Sequence, residues 1–210
     1  MTDPDVELAD ELRAVLARFH REAAPPEKVR EATELARRMR ELLEGPPRPR
    51  WFDGTLVDGR RSRQTRFNDR SLYRGRVNPM APPLVTTVVE QPDGTKAIEG
   101  RVTVGRMYEG PPNGVHGGYV AGLFDDVLGA TQSLIDGPTG LTGTLQVRYR
   151  NLTPLDTELV FRAWVHHVSG RRIVSRATCH AGGVLTADAE ALFVRVDMAE
   201  LARRALESDG

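Results

Sequence analysis

The chain has 210 residues, room for one compact domain and an appendage, and its 29 basic residues balance 29 acidic ones. That neutrality excludes a nucleic-acid binder whose affinity rests on excess positive charge. The single cysteine, Cys179, excludes an internal disulfide, no stretch nears the roughly 20 apolar residues that cross a bilayer, and the acidic start is unlike a signal peptide, so a reducing, cytoplasmic setting away from membranes is expected.

Two helices are predicted first. Leu8, Leu12, Val15, Leu16 and Phe19 share one face, with Asp3-Pro4 as cap and first turn. Val29, Ala32, Leu35, Met39 and Leu42 repeat the pattern from Pro25-Pro26 to Gly45-Pro46-Pro47. Each helix is apolar along one stripe, so residues 1–45 are expected to form a helical hairpin packed on itself and on a neighbour. Neither helix carries recognisable chemistry.

Residues 46–83 are rich in Pro, Gly and Arg and read as an irregular connector. Arg60, Arg61, Arg63, Arg66, Arg70, Arg74 and Arg76 crowd there around Phe67 and Tyr73. A solvated surface strap is the leading reading; contact with a coenzyme phosphate, or with nucleic acid, are the others.

From residue 84 the pattern changes. Residues 84–90 and 94–104 read as strands joined at Pro92-Asp93-Gly94. A Gly/Pro-rich loop then enters a helix of about 18 residues at 1.5 Å rise each, ending near Asp136-Gly137-Pro138. Strands are predicted around 141–150, 157–168, 171–181 and 184–197, and Leu145, Val147 and Tyr149 alternate with Gln146, Arg148 and Arg150. One helix inside a run of long antiparallel strands is an α+β pattern over residues 84–200. No internal repeat is visible.

The helix over 116–135 contains no Lys, Arg or Glu, and its certain charges are Asp125 and Asp126. A solvent-facing helix would carry more, so burial nearly all round is expected. Val120, Leu123, Phe124, Val127, Thr131 and Leu134 form a stripe for the sheet. The opposite side carries Ala121, Gly122, Asp125, Gly129 and Ser133, small residues that admit another backbone or a ligand. An acid there is either satisfied by partners or held for chemistry. Asp126 lies about 100° round the helix from Asp125. One of the two is expected to pair with a basic or polar group, and angles alone do not say which.

At the helix start, Gly117 and Gly118 follow His116. Free first-turn N–H groups and the helix dipole make this a possible oxyanion site, where losing a donor typically costs about 3–4 kcal/mol in the transition state. The plainer alternative is a tight turn with His116 bonded to the loop. His166 and His167, adjacent on a strand, are expected on opposite faces, and no Cys/His spacing suggests a metal. There is no G-x-S-x-G elbow.

Asn78-Pro79-Met80-Ala81-Pro82-Pro83, Tyr108-Glu109-Gly110, Val115-His116-Gly117-Gly118, Asp125, and then Leu145-Gln146-Val147-Arg148-Tyr149-Arg150 with Pro154 together resemble the PaaI-like hotdog acyl-CoA thioesterases. The resemblance covers roughly residues 78–197 and leaves out the N-terminal helices. It implies a hotdog fold, a long antiparallel sheet wrapped around one helix, and hydrolysis of acyl-CoA with no cofactor beyond the CoA of the substrate. It further implies that Asp125 is nucleophile or general base, that the Gly117 amide polarises the thioester carbonyl, that His116 shapes the turn, and that Thr142 assists the carboxylate. Asn113 and Gly118 would line the substrate site, and Arg148 and Arg150 would meet CoA phosphates. Two departures stand out. Gly110 occupies a place where many relatives carry a polar residue, and strict alternation turns Thr142 away from Leu145 and Val147 unless a bulge lies near Gly143.

Gly117 and Asp125 are eight residues apart, about 12 Å along one helix. A base and an oxyanion donor must each lie within roughly 3 Å of the reacting atoms. One helix therefore cannot supply both, and a homodimer, or a dimer of dimers, with antiparallel helices is required. Competing expectations are a hotdog enoyl-CoA hydratase or dehydratase, and a non-catalytic acyl-CoA binder or sensor.

Overall fold

The computed structural model describes residues 3–47 and 69–207. Helix α1 spans Pro4–Arg21 and is capped as expected, the Asp5 amide donating to Asp3 Oδ1 at 2.9 Å. Its buried residues are Val6 and Ala9, whereas Val15 and Phe19 of the predicted stripe are exposed. Leu8, Leu12 and Leu16 of that stripe are half-buried, and α1 rests on the 3₁₀ turn Arg106–Tyr108. Helix α2, Pro26–Leu42, buries no residue, and Leu35 and Leu42 of its apolar stripe lie open. The buried residues of the two helices thus all belong to α1.

Of the Arg-rich connector, Arg60, Arg61, Arg63, Arg66 and Phe67 lie outside the described residues. Residues 69–84 form a strap of turns, closed by bonds from the Gly75 amide to Ser71 O and from the Val77 amide to Asp69 O. This part is no solvated ribbon: Gly75, Ala81 and Leu84 are buried. Arg13 of α1 clamps it, donating to Asn78 O at 2.8 Å and Arg76 O at 3.0 Å.

Strands β1 (Val85–Glu90), β2 (Lys96–Thr103), β3 (Gly140–Tyr149), β4 (Glu158–Ser169), β5 (Arg172–Ala181) and β6 (Val184–Arg195) make one antiparallel sheet in the order β1-β2-β4-β5-β6-β3. Helix α3, Gly117–Ala130, lies against it, and α4, Met198–Glu207, ends the described chain. The sheet face under α3 is made of small residues, Ala163, Ala177, Ala187, Ala189 and Ala191, with Phe161, Ile173 and Phe193 filling the rest. Small side chains let the helix settle close. At Gly100 of β2 a Cβ would come within 2.9 Å of Val127 Cγ2, so that approach needs glycine. The rings of Phe124 and Phe161 meet edge to face at 5.0 Å.

The predicted stripe of α3 is the one that packs: Val120, Leu123, Phe124, Val127 and Thr131 are buried with Leu128, while Leu134 is half-buried. No residue from Tyr119 to Gln132 is exposed. The α-helix is shorter than expected because its end tightens into a 3₁₀ turn, Thr131–Leu134. There the buried Thr131 hydroxyl bonds Leu128 O and lies 2.7 Å from the buried Ser175 hydroxyl. The histidine pair on β4 lies on the sheet surface, as expected, but without strict alternation. The register skips His166, so strict alternation is lost there, and both His166 and His167 are exposed. No described helix is long and apolar enough to cross a membrane.

Candidate active site

The acids of α3 divide their roles. Asp126 is tied to the strap: Arg74 Nε sits 2.6 Å from its Oδ2 as an ion pair, outside hydrogen-bond alignment, and Ser71 Oγ lies 3.5 Å from its Oδ1. Both partners are mostly buried. Burial pushes the Asp126 carboxyl above its ordinary range, with Arg74 pulling the other way. Asp126 is therefore the paired acid, and Arg74 is committed to it and not to a phosphate.

Asp125 points elsewhere. Its Oδ1 accepts from Thr142 Oγ1 at 2.9 Å. That contact depends on an irregularity in β3. Thr142 pairs with Phe193 and Thr144 with Leu192, so Gly143 is left without a partner. The skip puts Thr142 opposite the buried Phe193, on the face that meets α3.

The helix start is built by the loop before it. The Gly110 amide donates to Gly114 O, the Val115 amide to Thr153 O and the His116 amide to Tyr108 O. A Cβ on Gly110 would lie 2.7 Å from His116 Cα, so a larger residue does not fit at this position without a shift of the turn. His116 is the N-cap of α3, its Nδ1 accepting from the Gly118 amide at 3.0 Å. As an acceptor, Nδ1 carries no proton. Among the described residues nothing accepts from the Gly117 amide, so its N–H points outward from the first turn.

The other predicted contacts fall unevenly. Asn113 adopts a left-handed conformation at φ 60°, its amide donating to Glu109 Oε1 at 2.8 Å. It and Gly118 are exposed beside the helix start. Arg148 and Arg150 converge on Asp188, Arg150 Nε at 2.5 Å and Arg148 at 3.6 Å. Their side chains stay half exposed, away from the Asp125–Thr142 pair. Among the described residues no group of His, Cys, Asp and Glu could hold a metal.

Two tyrosines that sequence reasoning did not single out touch this region. The Tyr149 hydroxyl donates to Gly117 O at 2.7 Å, pinning the helix start to β3. Its alternation with Leu145 and Val147 was the available signal. Tyr73 lies on Gly122, where a Cβ would come 1.8 Å from its hydroxyl oxygen. The small-residue side of α3 is therefore covered at Gly122 by the chain's own strap, whereas none of the described residues lies within 4 Å of a Cβ on Gly129. Burial first, then the charges of Asp125 and Asp126, push the Tyr73 phenol above its ordinary range.

No family model matches the chain. It is 31% identical over 94 residues to acyl-coenzyme A thioesterase THEM4 of Xenopus laevis, a span covering 44% of this chain and 42% of that protein. To acyl-coenzyme A thioesterase THEM5 of Homo sapiens it is 26% identical over 98 residues, 46% of this chain and 39% of that one. The chain thus matches less than half the length of these curated relatives. A thioesterase superfamily protein of known crystal structure aligns over 92% of both chains with a TM-score of 0.71 and 27% identity. That span exceeds residues 84–200, so the likeness reaches into the N-terminal extension that the sequence resemblance left out. Zebrafish thioesterase superfamily member 2, at 15% identity and a TM-score of 0.52 over 62% of this chain and 92% of its own, shares the fold. By these likenesses and by its sheet-wrapped helix, the chain has the hotdog fold and is similar to acyl-CoA thioesterases of that superfamily.

Proposed function

We propose that the protein hydrolyses acyl-CoA thioesters to the free acid and CoA, with each reaction centre assembled from two copies of the chain. The observation that carries this reading is the pairing of a Thr142-bonded Asp125 with an unbonded Gly117 amide at the start of the same helix. A carboxylate fixed by a hydroxyl, on a helix whose other charge Asp126 is paired with Arg74, and a free amide at the positive end of the helix dipole, are the two parts thioester cleavage needs.

Within one chain they stand about 12 Å apart. A two-fold axis with antiparallel α3 helices brings Asp125 of one copy to Gly117 of the other. The sheet supports such an arrangement. Strand β3 is an edge strand ten residues long with one side unpaired among the described residues, the kind of edge that a second strand covers. Thr142 lies on that strand.

In this arrangement the thioester oxygen accepts from the Gly117 amide, while Asp125 of the other copy either takes a proton from a water that adds to the carbonyl or attacks the carbonyl itself to give an acyl-aspartyl anhydride that a water then cleaves. In both routes that water supplies the acid's oxygen and the proton. The carbon–sulfur bond breaks, the acyl group leaves as the acid, and the proton goes to the CoA thiolate. His116, with Nδ1 committed to the Gly118 amide, holds the turn open for the substrate. Asn113 and Gly118 flank the entry. Arg148 and Arg150 meet the CoA phosphates, in competition with Asp188. No cofactor is called for.

The test uses two variants with separate defects. Asp125→Ala removes the carboxylate. Gly117→Pro removes the amide hydrogen yet suits a first helical position, and His116 already has the extended ψ of 128° that a following proline requires. Each alone is expected to lose roughly 10²–10³ in turnover on an acyl-CoA panel. Co-refolded, the mixed dimer has one intact centre of two and regains about half the wild-type rate per dimer. Mixtures no more active than the separate variants would place each centre within one chain. Saturable acyl-CoA binding without wild-type turnover would make the protein a binder, and hydration of an enoyl-CoA would make it a hydratase.

A further inference from the structure

Tyr73 stands in a place that the hydrolytic reading does not use. The strap carries it onto α3 at Gly122, one turn before Asp125, with its hydroxyl oxygen where a side chain would begin. Among the described residues its hydroxyl has no hydrogen-bond partner, so the position is held by shape. Its ring meets Tyr119 edge-on at 5.4 Å, and Tyr119 lies against Tyr108 at 4.2 Å. The hydroxyls of Tyr108 and Tyr119 both donate to Met80 O of the strap, at 3.2 and 3.4 Å. The strap itself is fixed on three sides: Leu84 N donates to Tyr73 O at 2.8 Å, Arg74 pairs with Asp126, and Arg13 of α1 holds the carbonyls of Arg76 and Asn78. Tyr73 is a buttressed wall and not a loose cover.

The position gains meaning from the two-copy arrangement, on which this inference rests. If Asp125 faces the partner's Gly117, the two-fold axis passes midway between these positions, near Ala121. The two copies of Tyr73, each over its own Gly122, then stand between the two reaction centres. An acyl group extending from the bound carbonyl toward the axis runs into an aromatic face. We propose that Tyr73 is the specificity-determining residue that ends the acyl pocket, restricting the enzyme to short acyl groups and keeping its two pockets separate, and that α1 serves this role by clamping the strap through Arg13.

The experiment measures kcat/KM for acetyl-, hexanoyl- and dodecanoyl-CoA with wild type, Tyr73→Phe and Tyr73→Ala, alongside calorimetric binding of the matching S-alkyl-CoA thioethers, which no hydrolase can cleave. Tyr73→Ala is expected to raise the dodecanoyl-to-acetyl ratio by about tenfold or more, the size of effect that pocket shape alone produces, in both turnover and binding. Tyr73→Phe, which keeps the ring, is expected to leave the ratio at its wild-type value. An unchanged ratio in a folded Tyr73→Ala protein overturns the proposal, as does a Phe variant that behaves like Ala, which would assign the effect to the hydroxyl. Where Tyr73→Ala does not fold, Tyr73→Val answers the same question. Should wild type cleave none of the thioesters, the hydrolytic reading falls while thioether binding still decides this one: a shifted chain-length profile supports the wall, and an unshifted profile removes it.

Discussion

Thr142 and Asp125, seventeen positions apart, are joined by a 2.9 Å hydrogen bond between a strand hydroxyl and a helix carboxylate, and a single skipped residue makes it possible. Without the skip at Gly143, strict alternation would turn Thr142 to the outer face of the sheet. The bond fixes one oxygen of Asp125 and, in the proposed mechanism, leaves the other for the reaction. Thr142→Val, which keeps the shape and loses the hydroxyl, is expected to lower kcat on acyl-CoA about tenfold or more with little change in KM, and Thr142→Ser to restore most of it. An equal loss in the Ser variant would mean that the hydroxyl is not what matters.

The helix start depends on Tyr149. Its hydroxyl donates to Gly117 O, and a Cβ on Gly117 would sit 3.3 Å from that hydroxyl. Tyr149→Phe is expected to lower unfolding free energy by about 1 kcal/mol, the net worth of one hydrogen bond, as read by urea denaturation. Because the Gly117 amide would lose its exact seat, turnover is expected to fall by more than stability alone explains. A Phe variant with the full wild-type rate would separate the pin from the chemistry.

Most of this architecture was legible in the residues. Six strands, the central helix and its buried stripe follow from alternation, a 3.6-residue period and glycine-marked turns, which are local patterns. The alliance of Thr142 with Asp125 was legible too, given the resemblance, since the glycine at 143 marked where a bulge would fall. What stayed hidden was contact between distant segments. Nothing near Tyr73 or Arg74 in sequence reports that the strap folds onto α3, and an arginine-rich connector ordinarily stays in solvent. The same holds for α1: Leu8, Leu12 and Leu16 of its stripe are half-buried, yet the fully buried residues are Val6 and Ala9, and Arg13 holds the strap, because the surface they meet is supplied by residues 76–78 and 106–108.

The Arg74–Asp126 pair is expected to show itself through pH. Burial raises the Asp126 carboxyl, so the folded protein holds this proton more tightly than the unfolded chain does. Asp126 therefore contributes stability that is fully present below the ordinary aspartate value near 3.9 and is lost as pH rises through the raised folded value. At neutral pH Arg74 offsets the cost of the buried charge. Arg74→Met is expected to destabilise by about 3 kcal/mol at neutral pH, the low end for breaking a buried pair, and by less at pH below about 4. Adding Asp126→Asn should recover much of the loss. Thermal melts of the single and double variants across pH check this, and a loss of equal size at both pH values would show that the pair is not the cause.

Glu99 is expected to give the opposite pH sign on the far side of the sheet. Arg162 and Arg101 donate to its two oxygens at 2.8 and 2.9 Å, and the Arg162 bond above all holds the carboxyl below its ordinary range. A lowered folded value means stability that is present above the unfolded glutamate value near 4.3 and lost as pH falls through the folded one. The arginines are half exposed, so solvent screens the attraction, and the cross-strand link between β2 and β4 is worth about 1 kcal/mol and not the larger figure of a buried pair. Glu99→Gln keeps the shape and the acceptor oxygen while removing the charge. Its stability should match the wild type in acid and fall short by about that amount near neutrality, and salt should narrow the gap, since exposed charges are screened within roughly 10 Å at 0.1 M. A gap that persists in acid would assign the effect to packing in the β2–β4 ladder.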